Sequence, residues 1–133
     1  MNNFYLKSLI AEIVTIILVT LTFINISNHL IAGRIAGTFF LLLGLFVCSK
    51  GFTTKEYRKT YSFIVGCLHL LLSLIMIITR ILHPKGSFAD VNILGFIPGP
   101  VYHQISSAIY GMLIVATCLD WYQSRAKSGI KPS

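Results

Sequence analysis

From Tyr61 to His83 the chain is apolar except along one line. Ser62, Gly66, His69, Ser73, Met76, Arg80 and His83 follow one another at alternating spacings of four and three residues, which on an α-helix places them on a single face. The run is long enough to cross a bilayer, whose hydrocarbon core takes roughly 20 helical residues. Serine, histidine and arginine are costly against lipid and turn toward other helices or a wet cavity. A helix of this kind needs companions to cover its polar line. The expectation is an inner wall of a small helical bundle.

Three other apolar runs supply those companions. With spans at about 6–26, 30–48, 61–82 and 101–119, the chain reads as one all-α, integral membrane four-helix bundle covering residues 1–133. Composition agrees: 55% of residues are hydrophobic and 11% charged, where a soluble domain carries about a quarter charged residues. The first span is too long for a signal peptide and lacks a small-x-small cleavage pattern, so it is expected to remain as a helix. Ser8, Glu12, Thr15 and Thr22 give it a polar inner side. In the second span Gly33, Gly37, Gly44 and Cys48 share a face. Gly33 and Gly37 form a GxxxG pair, which lets a neighbouring backbone approach closely. In the fourth, His103, Ser107, Gly111 and Cys118 fall on roughly one side, and Asp120, Trp121 and Tyr122 mark the exit. Between the third and fourth spans, residues 83–100 are rich in glycine and proline yet carry Phe88, Val91, Ile93, Leu94, Phe96 and Ile97, which suggests a lid lying in the membrane interface or over the bundle mouth. The basic tail, 120–133, is expected to be mobile. Cys48, Cys67 and Cys118 form no CxxC pair and are expected to pack in the core, leaving no metal site.

The net charge is +7, but the basic residues flank apolar spans, which points to membrane orientation and not to nucleic acid. Placing both termini in the cytoplasm puts Lys7, Lys50, Lys55, Arg58, Lys59, Arg125, Lys127 and Lys131 inside. Only Arg34, Arg80 and Lys85 then remain outside. A bacterial inner membrane is the expected location.

Two constellations could carry function. Glu12 and His69 lie about 9 Å and about 12 Å from the inner ends of their spans, at roughly 1.5 Å per residue. They could meet with Thr15 and Ser73 nearby, either as a proton- or ion-coupling pair or as a buried hydrogen bond that fixes packing. At the outer end, Arg34, Arg80, His83 and His103, with Lys85 and His29, form a cationic region matched only by Asp90. It suits an anionic headgroup, a carboxylate or a quinone oxygen, or simply lipid phosphates reached by snorkelling. A b-type haem would need histidines at one depth. His29 and His103 begin two helices on the same side, but His69 has no partner at its own level. No acyl-transfer triad, phosphate loop or metalloprotease helix is present, so no catalytic constellation is expected.

Ala11-Glu12 within the first span resembles the small multidrug resistance transporters, four-helix proteins with a membrane glutamate in helix one. That likeness covers about one helix. It implies a proton- and cation-binding role for Glu12 alone. The third span here has histidine and arginine where that family is apolar and glycine-rich. Trp121 lies at the end of the last helix, away from where that family uses a tryptophan.

Three functions are therefore expected to compete. The leading one is a binding or accessory subunit that holds a partner membrane protein, another copy of itself, or a lipid-like anionic ligand in the bilayer. The second is a small ion- or proton-coupled transporter using Glu12 and His69. The third is a redox membrane anchor binding haem or quinone.

Overall fold

The computed structural model describes residues 2–83 and 92–130. Four long helices account for most of them: α1, Asn2–Asn25; α2, His29–Thr53; α3, Tyr61–Leu82; and α4, Gly99–Ile130. Each is long and apolar enough to cross a membrane. In order, each packs against the next, and α1 closes the ring against α4. The chain is thus an all-α integral membrane protein built as a four-helix bundle, with α1 and α3 diagonally opposed.

The connections are set by short polar signals. The Asn28 side chain caps α2, accepting from the backbone N–H groups of Leu30 at 3.0 Å and Ile31 at 3.4 Å, donors that the helix itself leaves unpaired. Between α2 and α3, a 3₁₀ turn at Glu56–Lys59 lets Arg58 donate back to the Gly51 carbonyl at the end of α2. The buried Tyr57 donates to the Val47 carbonyl at 2.7 Å. Burial, reinforced by the nearby acidic groups of Cys48, Tyr5, Asp120 and Glu12, pushes its phenol well above the usual tyrosine range, so it remains a donor. Thr60 then caps α3 through the Phe63 N–H at 3.2 Å.

The bundle is greasy outside and partly polar inside, as a protein dissolved in lipid should be. Ile10, Ile13, Ile17, Leu42, Leu45, Ile64, Leu71, Ile78, Val115 and Leu119 are exposed around the perimeter. Ser8, Glu12, Thr15, Ser62, His69, Ser73, Thr117 and Asp120 are buried. On α3 the polar line faces inward: Ser62, Gly66, His69 and Ser73 are buried, Met76 and Arg80 half-buried, and His83 at the helix end is exposed. The apolar core, formed by Leu43, Val47, Val65, Leu113 and Ala116 beneath Tyr110, fills the half of the bundle nearer the termini.

The GxxxG face of α2 meets α3. A side chain at Gly33 would lie 3.7 Å from the Arg80 guanidinium, and one at Gly37 would lie 3.7 Å from Ile77. At Gly44 it would lie 3.1 Å from the Leu70 backbone, and Gly66 of α3 answers with a 2.8 Å approach to Val47. Close packing through glycine is how membrane helices gain dispersion energy without a hydrophobic drive between them. The small-residue face is therefore used within the chain.

Several expectations are corrected here. α4 runs on as a helix past residue 119, to Ile130. No proline or glycine interrupts residues 120–128, and Arg125 sits 5.1 Å over the Trp121 ring. Of the cysteines only Cys48 is buried, whereas Cys67 and Cys118 are exposed on the lipid-facing side. The row of His103, Ser107, Gly111 and Cys118 is exposed, and the buried row of α4 is Tyr102, Tyr110, Leu113, Thr117 and Asp120. Phe88 and Val91, like Lys85 and Asp90, lie outside the described residues. The rest of the expected lid forms a small antiparallel hairpin, β1 (Asn92–Ile93) with β2 (Ile97–Pro98), turning through Leu94 and Gly95 at positive φ. It packs on α3 and α4 through the fully buried Ile93.

Candidate functional site

The half of the bundle away from the termini is not filled. A cavity of about 1070 Å³ opens there between all four helices. Its walls are mainly apolar, with Ile16, Val19 and Phe23 from α1, Leu30 and Ala36 from α2, and Leu72 from α3. Near its mouth stand His29, Arg80 and His103, and deeper polar points are Thr20, Ser73, Ser106 and Ser107. None of the hairpin residues 92–98 lines it. The volume is at the upper end of ordinary small-molecule sites.

Three rings make the floor. Phe40, His69 and Tyr110 meet pairwise edge-to-face, with centroids 5.4 to 5.8 Å apart, the arrangement that aromatic quadrupoles favour. His69 Nε2–H donates to the Phe40 carbonyl at 3.0 Å, which fixes its tautomer. The Tyr110 hydroxyl donates to the backbone carbonyl of Glu12. Tyr102 is held in the wall by donating to the Leu72 carbonyl.

Glu12 lies one layer beneath the floor and is fully buried. Its Oε2 is 2.7 Å from the Thr117 hydroxyl, and its Oε1 has no hydrogen-bond partner. The expected direct pair with His69 is not formed. The two residues sit on diagonal helices, and Tyr110 stands between them, touching the imidazole with its ring and the Glu12 backbone with its hydroxyl.

The outer cationic residues divide. Arg80 and His103 line the cavity, whereas Arg34 and His83 are exposed and do not. Arg34 is close enough for its charge to act on Arg80. The deep histidine commits its Nε2 to a carbonyl, leaving that nitrogen no lone pair for iron. Among the described residues no group of three or more histidine, cysteine or acidic side chains could hold a metal ion.

Compared with known protein families, curated proteins and solved structures, the chain matches none. The likeness at Glu12 to small multidrug resistance transporters thus has no support beyond one helix, and the function must be argued from the cavity.

Sequence reasoning passes over the residues that shape this site most: Phe40, Tyr102, Tyr110 and Thr117. Tyrosine counts as a mild apolar residue in hydropathy patterns, so an inward row of Tyr102, Tyr110 and Thr117 at helical spacing is masked by the more polar His103, Ser107 row beside it. A signal is present in the tyrosines themselves, because a phenol within a membrane span needs a hydrogen-bond acceptor. Asp120, which reads as an exit marker, is also buried. Its Oδ2 accepts from the Ser62 backbone N–H at 2.7 Å and from the Ser62 hydroxyl at 2.5 Å, tying α4 to the start of α3.

Proposed function

We propose that this protein binds an amphiphilic, anionic, lipid-like molecule within the bilayer, as a binding or accessory subunit. The observation that carries the reading is the cavity itself, whose apolar walls lead to a mouth with Arg80, His29 and His103. An acyl or isoprenoid chain would fill the apolar body, and a carboxylate or phosphate head would take charge-assisted hydrogen bonds from the guanidinium. The aromatic floor limits how deep such a chain could reach. In the orientation favoured by the lysine and arginine distribution, termini in the cytoplasm of a bacterial cell, the mouth would face the external leaflet. The GxxxG face, which by itself would favour an external protein partner, is satisfied by α3, so the ligand reading has the better support.

The test is a titration of purified protein, in neutral detergent, with a fluorescent single-chain fatty acid and with a zwitterionic analogue of equal chain length. Wild type is expected to prefer the anion. The Arg80→Gln variant should bind it roughly tenfold more weakly, since a hydrogen bond to a charged group contributes about 1.5–3 kcal/mol. Equal affinity for both probes, unchanged in Arg80→Gln, would refute the reading.

A further inference from the structure

We propose that Glu12 is a proton-binding site, a carboxylic acid that carries its proton inside the bundle and not an ionised carboxylate. This holds whether or not the cavity takes a lipid-like ligand.

Two short oxygen–oxygen contacts around Thr117 share too few protons for an ionised Glu12. Thr117 Oγ1 lies 2.7 Å from Glu12 Oε2 and 2.8 Å from the Leu113 carbonyl oxygen. Both are hydrogen-bond distances, and each needs a proton between its two oxygens. A threonine hydroxyl has one proton, and a carbonyl has none. If Thr117 donates to Leu113, the proton in the other contact belongs to Glu12. An ionised Glu12 would take the Thr117 proton for itself and leave the hydroxyl and carbonyl oxygens facing each other at 2.8 Å with nothing between them. Only the acid form satisfies both contacts.

The surroundings agree. Glu12 is fully buried, and neither its unpartnered Oε1 nor the equally buried Ser8 Oγ, one turn away on the same face of α1, receives a hydrogen bond. A buried ionised carboxylate with an oxygen that no protein group donates to is very costly, whereas the carbonyl oxygen of an acid in the same place costs far less. Every group packed against it bears on the charge. On α1 these are Ser8 and Thr15. From α4 come Tyr110, which donates to the Glu12 backbone, and Thr117, which lies on its carboxyl, with the buried acid Asp120 one turn further on, and the apolar core of Leu43, Val47 and Leu113 also packs around Tyr110. Tyr57 of the 3₁₀ turn adds another acidic group. No cation answers Glu12 among these residues. The buried imidazole of His69 meets Tyr110 edge-on and donates to the Phe40 carbonyl. Tyr110 belongs at once to the cavity floor and to the Glu12 layer, so a proton leaving Glu12 toward the cavity would pass that ring.

The sequence makes the test clean, because Glu12 and Glu56 are its only glutamates, and Glu56 is exposed in the 3₁₀ turn. Full-length protein with ¹³C-carboxyl glutamate, reconstituted in bilayers, should show two side-chain carboxyl signals by solid-state NMR or isotope-edited infrared spectroscopy. At neutral pH one is expected in the carboxylate position and the other in the acid position, the acid signal vanishing in Glu12→Gln. Two carboxylate signals from folded wild type at neutral pH would overturn the proposal, and this reading needs no variant to fold. A hydrophobic carbodiimide, which reacts with protonated carboxyls, gives a second readout: an adduct on the Glu12 peptide supports the assignment.

Discussion

Replacing Asp120 with alanine is expected to destabilise the folded protein by about 3 kcal/mol. The carboxylate accepts two hydrogen bonds from Ser62 at the first turn of α3, where unpaired backbone donors and the helix dipole both favour a negative charge. Hydrogen bonds to a charged group contribute about 1.5–3 kcal/mol. The truncation also leaves the buried Ser62 N–H without an acceptor. The milder change Asp120→Asn keeps an acceptor but loses the charge, so it should cost roughly 1 kcal/mol, within the range of the dipole effect. Denaturation in mixed detergent, followed by helical circular dichroism, gives both numbers. If the two variants unfold at the same denaturant fraction as wild type, Asp120 does not anchor α4 to α3.

The second large effect is expected at Gly44. A methyl group there would lie 3.1 Å from both the backbone and the side chain of Leu70. Gly44→Ala therefore asks the helices to separate by a few tenths of an ångström and should cost about 1–3 kcal/mol, the usual range for overpacking. Gly44→Leu cannot be accommodated at all without moving α2 off α3, because the obstacle is backbone and cannot rotate away. It should abolish the monodisperse species in size-exclusion chromatography. A matching change at Gly37, whose nearest neighbour is the tip of the Ile77 side chain at 3.7 Å, should be far milder as alanine. That contrast separates a packing contact from a general intolerance of the helix to substitution. If Gly44→Leu behaves like wild type, the α2–α3 approach is wrong.

These two positions show why part of the structure was legible in the sequence and part was not. The polar line on α3 can be read because helical periodicity converts spacing into a face, and lipid leaves polar groups little choice of direction. The same logic finds Ser8, Glu12 and Thr15 on α1. It fails on α4, where His103 and Ser107 are polar and line the cavity yet stay exposed, and where the truly buried row is mostly tyrosine. It also cannot say which helix Gly44 meets, since small residues report that something approaches and not what does. Residues 120–127 are hard to read for a different reason: a basic composition suggests solvation, yet a helix whose membrane part is already fixed by packing extends at little cost through a stretch with no glycine or proline to break it. Depth estimates bring Glu12 and His69 to similar levels, but depth says nothing about which helices are adjacent. One ring, that of Tyr110, keeps the pair apart.

The polar line of α3 faces a cavity walled by the other three helices. Spin labels placed singly at positions 71, 73, 76 and 78, in a background lacking Cys48, Cys67 and Cys118 and reconstituted in bilayers, read that facing residue by residue. Collision with oxygen should be high at Leu71 and Ile78, which the structure exposes, and low at Ser73, which it buries. Position 76, at the cavity wall, should respond to a water-soluble relaxation agent more than its neighbours do. Oxygen accessibility at 73 equal to that at 71 would put the line against lipid, and neither the cavity nor the buried Glu12 layer beneath it would stand.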